Sequence, residues 1–373
     1  MRSLRVLIPI LLFLAAPSLL FAQHPLSGEV RVSADTQELQ QVPRVAANPS
    51  GEFVVVWAVT HPEANERSLR AVRFNADGTP ATGELLIAEQ NLQTPLSFAV
   101  TMMDDGSFAM VLPKPAATGV DLVARWYAPN GDQDGDDVLV TQDASPFFSI
   151  STQGDGGLVA VWQELSQGVK ARVFKASRAA GSEILIDPAG LAPAVSVGPQ
   201  GAFVVAWLNG DVVGRRFTPQ GTAASRRFVV AKGEVFLPLR IAKDDGGNFL
   251  IFYGGPSSAM GQRYKADTTP IGGPLKLQAT ANFDVAVGGQ GNFVLVWEVP
   301  VPGTQASRSN AFVRRFKSDG TPLGPQLRVN ERMQGFQSFP RVAIGADGGF
   351  VVVWQRTLTA SISDIFARRY GQK

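Results

Sequence analysis

Cysteine is absent from the 373-residue chain. Disulfides, thiolate metal sites and a lipid-modified N-terminal cysteine are therefore excluded. Histidine is almost absent, with only His24 and His61. A nucleophile–His–acid hydrolase needs a placed imidazole, and a zinc centre needs several His or Cys ligands. His61 reads as a solvated loop residue, so neither chemistry is expected, and no cofactor is. A membrane-spanning run is also missing. The apolar stretch Val6–Phe21 is 16 residues long and holds Pro9 and Pro17, whereas a spanning helix needs about 20 apolar residues.

That stretch, preceded by Arg2 and Arg5 and followed by Ala22, has the layout of a secretory signal peptide. Residues 1–22 are expected to be removed after Ala22, giving a secreted protein, periplasmic or extracellular. The formal charge of +2 then falls to zero, which leaves nucleic-acid binding without net electrostatic support. No membrane association is expected after removal of the leader. A staple-free exported chain must rely on a large core, and about 350 residues can supply one.

What the chain does have is glycine (38), proline (25) and repetition. Gly-x-Phe/Leu, a short apolar run and a large apolar residue recur seven times, as Gly51-Phe53-Trp57, Gly106-Phe108-Leu112, Gly156-Leu158-Trp162, Gly201-Phe203-Trp207, Gly247-Phe249-Tyr253, Gly291-Phe293-Trp297 and Gly348-Phe350-Trp354. A period of 44 to 57 residues marks a repeat architecture. Each unit reads as four short strands, A to D. Strand B is apolar at nearly every position, the pattern of a strand covered on both faces. Strand C ends on an aromatic residue (Phe74, Tyr127, Phe174, Phe217, Tyr264, Phe316 and Tyr370). Four-stranded sheets covered on both faces need neighbours on both sides, and a ring provides them.

The expected fold is all-β: a seven-bladed β-propeller of four-stranded blades in one domain, residues 23–373. The repeats lie at about 42–89, 95–141, 146–187, 193–231, 238–278, 281–330 and 340–370. Residues 25–57 align with 322–354 without a gap, with 16 of 33 positions identical. "PLSGEVRVS" thus matches "PLGPQLRVN", the D piece before the last unit, while the last unit stops after strand C at Tyr370. The segment at 28–33 is expected to close the ring as the missing outer strand of the last blade.

Stretches such as "GGFVVVW", "VRRF", "SDGTPLG" and "RVN" resemble the repeats of secreted bacterial proteins carrying DGxFVVVW…RRF…DGxPLG…VN, which are mostly uncharacterised. The resemblance covers residues 25–373. It implies a propeller-like fold and export, and it transfers no catalytic residue.

Function is expected where the units differ. The longest, least repetitive segments are Thr60–Ser68, Pro300–Asn310, Gln355–Ser363, Ala34–Val42 and Glu331–Phe339. All belong to repeats 6, 7 and 1. In the same sector Arg44 and Arg341 open strand A and Asp284 stands near the equivalent place in repeat 6. With Arg356, these are the candidate ligand-binding residues. The expected function is a non-catalytic, monomeric scaffold binding a protein or glycan through this sector. The alternative is a carbohydrate-active hydrolase or lyase using a carboxylate pair, Glu164 and Glu298, in the central channel. Asp132, Asp134 and Asp136 have the alternate spacing of a calcium loop but lack its distal Glu, so a solvated turn is expected and no metal. Ten arginines in strand C could bind a polyanion. Their recurrence with the period of the fold points instead to a structural role.

Overall fold

The computed structural model describes residues 24–34, 38–92, 94–116, 120–142, 144–152, 156–233, 235–255, 258–277, 282–301 and 308–371. The expected signal peptide at 1–22 and part of the Ala34–Val42 and Pro300–Asn310 segments lie outside them. No helix among the described residues is long and apolar enough to cross a membrane.

The chain is all-β and propeller-like, a succession of four-stranded antiparallel sheets. The inner strands, A, are Leu39–Ala47, Ala99–Met102, Ala144–Thr152, Leu191–Val197, Phe236–Lys243, Phe283–Val287 and Phe336–Ile344. Strands B run from Phe53–His61 in the first sheet to Phe350–Thr357 in the last, and strands C from Glu66–Phe74 to Ser363–Gly371. A single parallel bridge, Ser363 to Leu39, links the ladder of the last sheet to that of the first. The N-terminal segment adds the last sheet's outer strand: Val30 lies opposite Ala367 and Arg31 opposite Phe366. His24 and Pro25 continue this edge opposite Gly371 and Tyr370.

Valine, phenylalanine and tryptophan fill strand B because both its faces are covered. Phe53 to Thr60 are buried without interruption. β-Branched and aromatic side chains suit such a pleated, enclosed surface. The first residue of strand B pairs with the last of strand C, for example Phe53 with Phe74 and Phe293 with Phe316. Their rings stack 4.7 and 4.9 Å apart. The landmark glycine before strand B has positive φ in every unit, from 77° at Gly348 to 90° at Gly156. A side chain there would be strained, which is why glycine marks the repeat.

Each apolar cluster lies between two consecutive sheets, and one lies between the last and the first. That one joins Val55, Trp57 and Val72 to Val353, Ile365 and Ala367, with Val32 of the N-terminal segment packed among them.

Strand C arginines tie sheets together. Arg125 Nη1 donates to Ile87 O (2.6 Å) and Arg172 Nη1 to Leu139 O (3.1 Å), each a carbonyl of the preceding sheet's outer strand. Arg73 donates to Pro129 O, and Arg263 to Ser318 O at 2.8 Å, in the C–D turn of the following sheet. Arg369 does the same from the last sheet to Ala76 O and Asp77 O of the first.

Two sequence expectations are corrected. Strand A is not uniformly short, running nine residues in the first and last units, Leu39–Ala47 and Phe336–Ile344. Thr60–Ser68 and Gln355–Ser363 are not open loops but extensions of the B–C ladders. Thr60 pairs with Arg67, His61 with Glu66 and Thr357 with Ser363, leaving only 62–65 and 358–362 as tips. These polar residues read as loops, yet the ladder satisfies their backbone groups.

Candidate functional site

Nine residues before the first residue of each strand B stands one position of strand A. The seven occupants are Arg44, Ala99, Ser149, Ala194, Arg240, Asp284 and Arg341. Their partners on strand B are equivalent: Val56, Val111, Val161, Ala206, Phe252, Val296 and Val353. They form one layer of a central cavity of about 480 Å³, to which every inner strand contributes. The charges fall on one side, in sheets five, six, seven and one, opposite Ala99, Ser149 and Ala194. Pro146, Phe147, Phe148, Pro193, Leu96 and Leu239 complete much of the wall.

The backbone bends where it delivers these residues. A bulge interrupts the A–B register between Gln41 and Arg44, and between Ser338 and Arg341. At the bulge Val42 has φ 45° and Phe339 φ 52°, sterically costly values for such residues. A proline follows each, and a bulge is a place where its missing N–H costs no ladder bond. The bulge is held from the preceding sheet by the residue after the landmark aromatic. Gln163 Oε1 accepts from Ala192 N at 3.0 Å, and Gln355 Oε1 accepts from Val42 N at 3.1 Å. Glu298 accepts from Phe339 N in the same way.

Within the layer, Arg240 Nε pairs with Asp284 Oδ1 at 3.1 Å. Asp284 Oδ2 accepts from Val342 N at 3.2 Å. Each arginine also donates Nη1 to the carbonyl just before it: Arg44 to Pro43 (3.1 Å), Arg240 to Leu239 (3.0 Å) and Arg341 to Pro340 (2.8 Å). Arg44 lies over the Phe98 ring, 5.6 Å from its centroid. Arg341 is buried, at 8% exposure, and its Nε has no hydrogen-bond partner. Burial, then the Arg240 guanidinium, pushes Arg44 down to about 10 against the pull of Asp284. Arg341 is held well below the usual guanidinium range by burial, then by Arg44 and Arg240. Three cations thus face one carboxylate.

The structure brings Arg44, Asp284 and Arg341 together and adds Arg240, which sequence reasoning missed. It does not bring Arg356 to them. Arg356 pairs with Asp364 at 3.1 Å and covers the Phe366 ring at 4.6 Å. Glu164 and Glu298 do not line the cavity. Glu164 Oε2 meets Lys170 Nζ at 2.6 Å in sheet three. Glu298, in sheet six, accepts from Asn282 Nδ2 at 2.8 Å, and burial raises its pKa despite its hydrogen bonds. Asp134 pairs with Arg178 and Asp132 with Asn130. Among the described residues no three His, Asp or Glu side chains could hold a metal ion. His61 Nδ1 meets Glu38 Oε1 at 3.1 Å.

No protein-family model and no curated protein sequence matches the chain. Solved structures do resemble it. A Dyadobacter fermentans protein of unknown function has a TM-score of 0.56 at 11% identity, covering 94% of this chain and 99% of that one. AofleA from Arthrobotrys oligospora has a TM-score of 0.53 at 10% identity, covering 82% and 90%. The Dos1 propeller has a TM-score of 0.48 at 9% identity, covering 95% and 96%. The first two likenesses bear on the fold alone.

Glu298→Gln tests the structural role of that carboxylate. Glutamine keeps an acceptor for Phe339 N, as Gln163 and Gln355 do in their sheets, and removes the cost of a buried charge. Since the folded pKa is raised, the ionised group costs stability at neutral pH, and that cost fades as pH falls through the folded pKa. The variant is expected to unfold at a higher denaturant midpoint than the parent at pH 7. The gap should close towards pH 4. A lower midpoint at pH 7 would show that the charge itself stabilises the site.

Proposed function

We propose that the chain is an exported, non-catalytic β-propeller of seven blades. Its N-terminal strand closes the ring, and it binds a protein or glycan where sheets six, seven and one meet. Closure is supported by junction chemistry. The Gln355–Val42 contact between the last and first sheets repeats the Gln163–Ala192 contact between sheets three and four. Inner strand Phe336–Ile344 also packs against Leu39–Ala47.

One observation supports the binding face: described parts of the divergent segments are hydrogen-bonded to one another from sheet to sheet. Ser309 Oγ donates to Gln337 O at 3.1 Å, linking sheets six and seven. Ser363 N donates to Glu38 O at 3.3 Å, linking seven and one. A rigid scaffold presenting divergent loops is a usual binding arrangement. Glycan-array and pull-down screening of the secreted chain tests this reading, repeated after replacing residues 358–362 with a two-residue turn. Capture that is lost in the replaced variant is expected. Capture that survives would move the site off this face.

The enzymatic alternative has one observation in its favour, the raised pKa of Glu298, a property suited to a general acid. Against it stand the engagement of Glu298 at the sheet junction and the pairing of Glu164 with Lys170.

A further inference from the structure

We propose that the central cavity binds an acidic sugar, its carboxylate held by Arg341, Arg44 and Arg240 and its ring set against Phe147 and Phe148. The inference deepens the glycan branch of the reading above and rests on it. It adds a site in the channel to the loop face.

The first support is unbalanced charge. Among the described residues Asp284 is the one carboxylate on the cavity wall, and it is engaged by Arg240. Among the described residues no carboxylate pairs there with Arg44 or Arg341. Buried cations without counter-charge are costly, and an incoming anion relieves that cost. The second support is unused donors. Arg341 Nε is buried without a partner, and so is Ser97 Oγ, which also lines the cavity just before the inner strand of sheet two. Buried polar atoms are normally satisfied, and a ligand carrying both a carboxylate and hydroxyls would satisfy these two. The third is shape. A cavity of about 480 Å³ falls within the usual range for small-molecule sites. Phe147 is 45% exposed and offers an apolar face to a sugar ring. A bare inorganic anion would leave that aromatic wall unused, and a neutral sugar would leave the arginines unpaired. The strained backbone at Val42 and Phe339, two residues before Arg44 and Arg341, fits a layer whose aim is held at some cost.

Isothermal titration of chain 23–373 with glucuronate, glucuronamide, glucose and inorganic phosphate tests this. Glucuronate is expected to bind saturably, and the two neutral sugars about tenfold more weakly or not at all. Arg341→Gln and Arg44→Gln should each weaken glucuronate about tenfold while circular dichroism shows a folded protein. Asp284→Asn removes the internal competitor and is expected to tighten binding roughly two- to fivefold, which a merely structural role for Asp284 would not do. Phosphate binding as tight as glucuronate, equal binding of glucose, or unchanged affinity in folded Arg341→Gln would each overturn the proposal. So would the absence of any heat with glucuronate. Replacing residues 358–362 should leave glucuronate affinity unchanged, so a failure of the loop face and a failure of the channel site give different results.

Discussion

A chain that begins at Glu38, without the N-terminal strand, is expected to melt about 6 °C below chain 23–373 and to associate through its new edge. Three losses contribute. Val32 leaves the cluster between the last and first sheets, where it is 9% exposed, at about 2 kcal/mol. Two bonds to Ile365 disappear: Val32 N to Ile365 O at 2.7 Å and Ile365 N to Ser33 Oγ at 3.2 Å. They contribute about 1 kcal/mol each. Glu29 no longer accepts from Glu331 N at 2.8 Å or pairs with Arg332 at 3.2 Å. The sum is about 4 kcal/mol before the pairing edge of strand C, freed by removal of Val30 and Arg31, recruits another chain. Thermal unfolding followed by circular dichroism and size-exclusion chromatography reads both effects. A peptide of residues 24–34 added in trans should restore the melting temperature by strand addition. A truncated chain that melts within about 2 °C of the parent and stays monomeric would mean the segment is an ornament.

This strand was legible in the sequence because the chain repeats itself: residues 25–57 mirror 322–354 and the final unit lacks a D piece. The strand order within each sheet was legible from the all-apolar B strand and the aromatic that ends strand C. The channel layer was only half legible. Arg44 and Arg341 each follow a proline directly, whereas Leu239 separates Arg240 from Pro238, so proline-based alignment hides Arg240. Counting back from the first residue of strand B reveals it, since the register, unlike the bulge, is fixed by the ladder. Glu298 misled because composition shows a carboxylate beside tryptophan but not its partner, Phe339 N, some 40 residues on. The polar hairpin extensions misled for a related reason. Side-chain polarity reports solvent exposure and says little about whether the backbone is paired.

Trp354→Ala is expected to lower stability by about 3–5 kcal/mol, among the largest effects of a single substitution in the repeat core. The indole is fully buried among Val294, Val296, Val313, Val342 and Phe366. It lies 5.8 Å from the Phe366 ring, and its Nε1 donates to Gln337 Oε1 at 2.9 Å. Truncation therefore opens a cavity between sheets six and seven and strands a buried amide, since Gln337 is 1% exposed. The two contributions separate with Trp354→Phe, which retains most of the ring volume and loses only the donor, at about 1–3 kcal/mol. Adding Gln337→Leu to Trp354→Phe should recover about 1 kcal/mol, because removing both partners costs less than orphaning one. Denaturant unfolding at pH 7, with the slope held constant across variants, measures each step. A Trp354→Phe cost equal to that of Trp354→Ala would assign the whole effect to the amide and refute the packing argument. Trp57 occupies the same place in the first unit, fully buried and donating to Gln40 Oε1. Its cluster bridges the last and first sheets. Trp57→Ala should therefore match Trp354→Ala if that junction is as tight as the others. A cost well below it would expose a loose seam where the ring is proposed to close.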